Sequence, residues 1–274
     1  MGIATRRVSR SIIWAWTAGT ILLFIWLILS SLKSNAVIFT RLWSLPDGVH
    51  LENYGTAWSV LNLGQATLNS TLVVGCATVV IVGLSAPAAY ALSRVPFRGA
   101  AVVTMLFIVG IGVPVQVLLI PLVTMLSRFH LANSLFGLGL IYVSISLPFT
   151  VYLLTGYFKS LPYELEEAAA IDGAGPFTTA LRVMMPLAQP GLVTAAILNA
   201  VLLWNEYLLA LTILSDNSQY TLALAILNMY GSMKYSANWA GLFAGLVIVV
   251  IPMIVLYTWL SGRIIEGLTL GSSK

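Results

Sequence analysis

Polar residues are sparse along this chain, and they fall in clumps separated by long apolar runs. Five runs carry no charge: 11–32, 68–92, 99–127, 131–158 and 240–262. A sixth, 186–214, carries one acid, Glu206. Each run matches or exceeds the roughly 20 residues a helix needs to cross a bilayer core about 30 Å thick. The runs are continuously apolar. Strands of a membrane barrel would alternate in segments of about ten residues, so the pattern predicts helices. The expected fold is an all-α integral membrane protein with six transmembrane helices, forming a single transmembrane domain over 1–274.

The first run follows Arg6, Arg7 and Arg10, and Ser34-Asn35-Ala36 weakly resembles a cleavage site. The run is too long for a signal peptide's apolar region, so it is read as a retained first helix.

Composition agrees with this pattern. Of 274 residues, 59% are hydrophobic and 8% charged, with a mean hydropathy of +0.96. A soluble domain carries about 25% charged residues. The polar surface is therefore too small to coat a water-soluble body, and the apolar surface must face lipid.

The net charge of +4 is spread along the chain rather than gathered in a nucleic-acid patch. Its distribution orients the helices. With the N-terminus inside, the inner cations are Arg6, Arg7, Arg10, Arg94, Arg98, Lys159, Arg182, Arg263 and Lys274. The outer ones are Lys33, Arg41, Arg128 and Lys234. This bias predicts both termini in the cytoplasm and an even number of spans. The outer loop after the first span is long and holds the turn signal Pro46-Asp47-Gly48. The inner loop at Arg94-Val95-Pro96-Phe97-Arg98 is very short.

Candidate chemistry is thin. Cys76 lies within the second span and is read as a small packing residue. His50 and His130 lie in or beside outer loops and are read as surface histidines without an acidic or metal-ligand cluster. No catalytic or metal site is expected, which disfavours a membrane-embedded enzyme. The sequence contains no Gly-x-x-x-x-Gly-Lys-Ser/Thr phosphate loop.

The polar interruption at 159–185 holds four of the nine acids. Pro162 suits a first helical turn. Glu164, Glu166 and Glu167 follow where the helix dipole favours acids. Ala168, Ala169 and Ala170 are strong helix formers, and Gly173 is a natural stop. Pro176 then opens a second helix through Arg182, ending near Pro186. A helix this short needs a partner surface. Ala168 and Ala169 are read as a small face permitting close approach, with Glu164 and Glu167 available to basic groups. The segment reads either as a docking helix or as an amphipathic helix on the membrane interface.

The order Glu167-Ala168-Ala169, Gly173, Val183, Met185, Pro186 resembles the EAA loop of ABC importer permeases. That family has Ile and Leu where Val183 and Met185 stand, and both replacements are apolar. The resemblance implies a coupling helix seated on an ATP-hydrolysing subunit, with Glu166, Glu167, Ala168, Ala169, Asp172, Gly173 and Pro186 as coupling residues. Trp204-Asn205-Glu206-Tyr207 is similar to a stretch of carbohydrate-type permeases. The tail Gly267-Leu268-Thr269-Leu270-Gly271 resembles the ending of the smaller six-span permease of maltose-type transporters. There it reaches toward the nucleotide-binding dimer, although Ser272-Ser273-Lys274 replaces the usual Ala-Val-Lys. The resemblance covers nearly the whole chain.

What it implies is a permease in a bacterial inner membrane, forming half of a pathway for a sugar-like solute. Its partners would be a second, related permease, two ATP-binding subunits that hold the ATP and Mg, an external binding protein, and lipid. This chain would bind no cofactor and no nucleic acid.

Glu206 is the only ionisable residue deep in a span. Burying it costs about 2.5–3.5 kcal/mol on insertion scales. Asn199 lies seven residues earlier, so a continuous helix would place both on one face. With Asn205 and Tyr207 they are candidate pathway residues. Two readings stand: the stripe lines a translocation path, or Glu206 pairs with a neighbouring helix and orients the bundle. A proton- or ion-driven transporter would need more intramembrane charge than one acid. Glycerol-phosphate esters and other polar solutes pass through similar permeases, so the solute itself is not readable. Pro114, Pro121 and Pro148 permit bends within the third and fourth spans.

Overall fold

A computed structural model describes residues 3–60, 62–251, 254 and 258. The described residues form helices and contain no strand. The chain divides into two compact units, Met1–Gly64 with Ala225–Pro252, and Gln65–Leu224 with Met253–Lys274.

The first unit holds α1 (Ile3–Ser31), α2 (Asn35–Thr40) and α3 (Glu52–Val60). Every residue from Val8 to Ile25 is exposed, as expected of an apolar helix whose solvent is lipid. The segment after α1 is tied down by polar contacts. Ser34 caps α2 and donates from its hydroxyl to Asp47 Oδ2 at 2.9 Å. Lys33 is buried and donates from Nζ to the Leu42 carbonyl at 2.7 Å. The Asn53 amide donates to the carbonyls of Ser31 and Lys33, both at 2.9 Å.

The expected isolation of His50 is corrected here. Its Nδ1 stands 2.6 Å from Glu52 Oε1 and its Nε2 stands 3.6 Å from Asp47 Oδ1. The chain doubles back at Pro46-Asp47-Gly48 and brings the two acids round the imidazole. Among the described residues no group of three or more His, Cys, Asp or Glu side chains is arranged to hold a metal ion.

The second unit begins in α4 (Leu63–Arg94), a 32-residue helix that continues past Pro87. It continues with α5 (Ala100–Ile111), α6 (Val115–Arg128) and α7 (Leu135–Ser160). The run 99–127 is not one straight helix, because α5 and α6 meet at 99°. Pro114 has no N–H to continue the ladder, and its ring forces the preceding residue out of the helical region. The packing of α5 on α7 is close. A β-carbon at Gly110 would stand 3.1 Å from the Pro148 ring.

The run 186–214 is also divided, into α8 (Gln189–Trp204) and α9 (Leu208–Ile213). A buried cluster of Ala86, Ala89, Leu154, Tyr157, Phe158, Met184, Ala188 and Ala195 joins α4, α7 and the start of α8.

Among the described residues three helices are long and apolar enough to span a membrane: Val8–Ser31, Leu63–Arg94 and Leu135–Ser160. Two bent pairs raise the number to five if each pair is one span. Shorter apolar helices at Leu222–Gly231 and Trp239–Ile251 follow. The remainder of the expected 240–262 span lies outside the described residues, apart from Ile254 and Thr258, and so does the tail with Gly267, Leu268, Thr269 and Gly271.

Candidate functional site

The 159–185 loop folds as local chemistry dictates. Its first helix, αC (Glu164–Ile171), carries Glu164, Glu166 and Glu167 in its first turn. It ends in a Schellman motif. The Ala174 N–H donates to the Ala169 carbonyl at 2.9 Å, and the Gly173 N–H donates to the Ala170 carbonyl at 3.0 Å. Gly173 has φ +81°, a left-handed conformation in which glycine meets no side-chain penalty. A short helical turn starts at Pro176 and passes into a π-helical turn over Ala180–Met184. There the Met185 N–H reaches back five residues to the Ala180 carbonyl, just ahead of Pro186, which has no N–H to offer. The second expected helix, 176–186, is therefore a helical segment with a π bulge, and Pro176–Leu187 meets α8 at 68°.

The loop has an inner and an outer face. Ala169 is buried and Glu166 half-buried, whereas Glu164, Glu167, Ala168, Asp172, Gly173 and Pro186 are exposed. The expected small face of Ala168 and Ala169 is thus split, because adjacent residues on a helix point about 100° apart. Two residues that the sequence reading passed over dominate the outer face. Ile171 is 86% exposed and Phe177 77% exposed. Exposed apolar side chains beside a row of acids suit a surface that is covered by a partner.

Beneath the inner face lies Arg94, which the sequence showed only as one inner cation among several. Its side chain is buried. Nε donates to the Phe158 carbonyl at 3.1 Å, and Nη2 donates to the Phe158 and Leu161 carbonyls. These oxygens belong to the C-terminal end of α7, where carbonyls lack helical partners and the dipole favours a cation. The guanidinium carbon lies 4.2 Å from the centre of the Tyr163 ring, and Glu166 Oε1 lies 3.6 Å from Nε. One side chain therefore joins the ends of α4 and α7 to the start of αC. Close by, α8 presses against α7 at Gly191, where a β-carbon would fall 2.6 Å from Tyr157 Cγ.

The second feature is a cleft of about 550 Å³ walled by α5, α6, α7 and α8, within the usual range for small-molecule pockets. Its lining is mostly apolar, with Ser144, Ser146, Asn199 and Glu206 as the polar groups. Asn199 is buried and donates to Thr150 Oγ1 at 2.9 Å and to the Ala195 carbonyl at 2.8 Å. Glu206 stands beyond the end of α8, so the argument from a continuous helix does not apply, yet both residues reach the same cleft. Glu206 Oε1 accepts from the Leu209 N–H at 2.7 Å, and Oε2 accepts from the Ala210 N–H at 3.3 Å and from the Tyr142 hydroxyl at 2.9 Å. The carboxylate thus caps α9 and ties it to α7. Asn205 bonds back to the Val201 carbonyl, and neither Asn205 nor Tyr207 lines the cleft.

Comparison with known proteins places these features in context. Residues 57–268 match the family model described as binding-protein-dependent transport system inner membrane component. The chain is 35% identical over 267 residues to a diacetylchitobiose uptake system permease of Streptomyces coelicolor, covering 97% of this chain and 88% of that protein. It is 35% identical to a trehalose transport system permease of Mycobacterium tuberculosis, with 91% of each covered. It is 34% identical to a multiple sugar-binding transport system permease of Streptococcus mutans, with 94% of each covered. In fold it is similar to a chain of a bacterial ABC transporter involved in import of the acidic polysaccharide alginate, with a TM-score of 0.81. The two share 22% identity, and the match covers 96% of this chain and 98% of the other.

Proposed function

The chain belongs to the binding-protein-dependent transport system inner membrane component family, and from that premise we propose how this permease is driven and what its site residues do. It is a multi-pass inner-membrane permease of an ABC importer for sugars. Its family is a transport component rather than an enzyme.

The observation that carries the proposal is the 159–185 loop. It presents Ile171, Phe177 and exposed acids outward while Arg94 holds its base. We assign this loop as the coupling loop, docked into a groove of an ATP-binding subunit. Two such subunits bind ATP and Mg, a second permease completes the pathway, and an external binding protein delivers the solute. Closure of the ATP-binding subunits displaces the loop. Arg94 and the Gly191–Tyr157 contact pass that displacement to α4, α7 and α8, and the bundle alternates between inward and outward access. The cleft at Asn199 and Glu206 forms part of the pathway wall, and the solute is a sugar or sugar-like molecule.

An ion-driven mechanism finds less support. Glu206 is engaged by three donors, which gives the carboxylate a structural task in capping α9 and tying it to α7.

The test is sugar uptake into proteoliposomes holding the assembled transporter and its binding protein. Uptake should require ATP and should persist when a protonophore collapses ion gradients. Uptake that ignores ATP and stops with the protonophore would overturn the reading.

A further inference from the structure

The turn joining α4 to α5 spans only 95–99. Around it Arg94, Arg98 and Lys159, with Tyr163, wall a second cleft of about 820 Å³. No acidic side chain lines it. Arg98 and Lys159 are exposed, and among the described residues neither has an ion-pair partner. Arg94 is committed to the α7 carbonyls and has Glu166 Oε1 at 3.6 Å from its Nε, so Arg98 and Lys159 are the cations the cleft offers an occupant. Val95 and Phe97, on the same turn, are 45% and 43% exposed.

The depth of this cleft follows from the chain. A five-residue turn between two apolar helices cannot leave the membrane surface, so its cations stand at headgroup level. The occupant must be anionic, because the cleft concentrates positive charge without an acid. It must tolerate an apolar rim, because Val95, Pro96 and Phe97 stand beside the cations where headgroups give way to acyl chains. Basic clefts between helices on the cytoplasmic face match the chemistry of phosphate headgroups. An acidic segment of an ATP-binding subunit fits less well, since the long 159–185 loop already projects toward that partner.

We propose that this cleft binds the phosphate of an anionic phospholipid in the cytoplasmic leaflet. The proposal rests on the coupling-loop reading, which sets the leaflet. Tyr163 lines the cleft and also stacks on Arg94 at the start of αC. A bound headgroup therefore braces the base of the coupling loop and links ATP-driven motion to lipid composition.

The experiment uses the assembled transporter in nanodiscs of phosphatidylcholine with or without phosphatidylglycerol, read by native mass spectrometry after partial delipidation. The wild type should retain phosphatidylglycerol in preference to phosphatidylcholine. The Arg98→Gln/Lys159→Gln pair should lose that retention by about fivefold per cation removed. Equal retention of the two lipids by the wild type, or undiminished retention by the double variant, would overturn the proposal. Displacement of the lipid by an equal concentration of inorganic phosphate would assign the cleft to a soluble anion instead. Loss of the ATP-binding subunits from the double variant with lipid retention intact would assign it to a protein interface. Wild-type uptake without ATP would sink the coupling reading, whereas lipid retention reports on the cleft independently.

Discussion

The Nε of Arg94 and the carbonyl oxygen of Phe158 lie 3.1 Å apart, although 64 residues separate them in the chain. That bond ties the end of α4 to the end of α7 directly under αC. Losing it removes the charged donor shared by the Phe158 and Leu161 carbonyls, a loss of about 1.5–3 kcal/mol for a bond to a charged group, although Phe158 keeps the Leu161 N–H at 3.2 Å. Arg94→Gln should leave the chain in the membrane, lower stimulation of ATP hydrolysis by the loaded binding protein at least tenfold, and spare basal hydrolysis. Arg94→Lys keeps the charge but loses the planar fork, so it should recover only part of the stimulation. Unchanged stimulation in the Gln variant would show that Arg94 does not transmit motion.

Gly173 stops αC at φ +81° with nothing within 4 Å of a built β-carbon. Side-chain crowding is therefore absent, and the penalty lies in the backbone, about 1–2 kcal/mol for an L-residue. Gly173→Ala should weaken uptake, whereas Gly173→Arg should abolish it by adding bulk to the docking face while membrane insertion survives. Copurification of the ATP-binding subunits with each variant checks this. Wild-type uptake by the Arg variant would remove the loop from the coupling role.

Gly191 and Tyr157 make the tight crossing of α8 on α7. An alanine in a helix interior gains about 1 kcal/mol over glycine, an upper bound for Gly191 in the first turn of α8. Here its β-carbon would fall 2.6 Å from the ring, and overpacking of about 1–3 kcal/mol should outweigh that gain. Gly191→Ala should therefore lower the melting temperature, and Tyr157→Leu in the same chain should restore part of the loss. Additive effects in a double-mutant cycle would mean that the two sites are not coupled.

Glu206 serves three donors with two oxygens. Glu206→Gln keeps one acceptor and turns an amide toward backbone N–H groups, costing about 1–3 kcal/mol. Thermal stability should fall together with uptake. Slower uptake at unchanged stability would mean that the carboxylate acts on the pathway alone.

The His50 cluster should show pH-dependent order. The hydrogen-bonded Glu52 carboxylate raises the His50 pKa above its ordinary value of about 6.5. Glu52 is lowered by its bond to His50, and Asp47 chiefly by its bond from the Ser34 hydroxyl. The His50 contribution is complete below its unfolded value and is lost as pH rises through the raised one. The carboxylate contributions are complete above about 4.5 and are lost as pH falls through the lowered values. Amide protection of the segment after α1 should peak between about pH 5 and 6.5, and Glu52→Gln should bring the His50 titration down. A flat protection profile would contradict this.

The hydrophobic runs, the acidic first turn and the stop of αC were legible because they rest on short-range rules, whereas Pro162 stands ahead of the Tyr163 cap rather than in the first turn. Apolar content over 20 residues sets a span, and a glycine after three alanines sets a helix end. The prolines show where such rules stop. Pro87, Pro121 and Pro148 all sit inside continuous helices, whereas Pro114 stands at the 99° break and Pro186 and Pro190 flank the 68° one. The acid row of αC was readable, but the exposure of Ile171 and Phe177 was not, because burial depends on which face another helix covers.

By itself the sequence determined a helical membrane protein, a capped loop between its fourth and fifth apolar runs, and a lone intramembrane acid. Tertiary structure decided that Arg94, one inner cation among several, is the buried tie beneath that loop. It also decided that Glu206 caps a second half-helix while facing a cleft with Asn199. Propensity and periodicity act over a few residues and are written locally. The partner of a buried charge is fixed only when distant helix ends are brought together, and that choice is made by packing of the whole bundle.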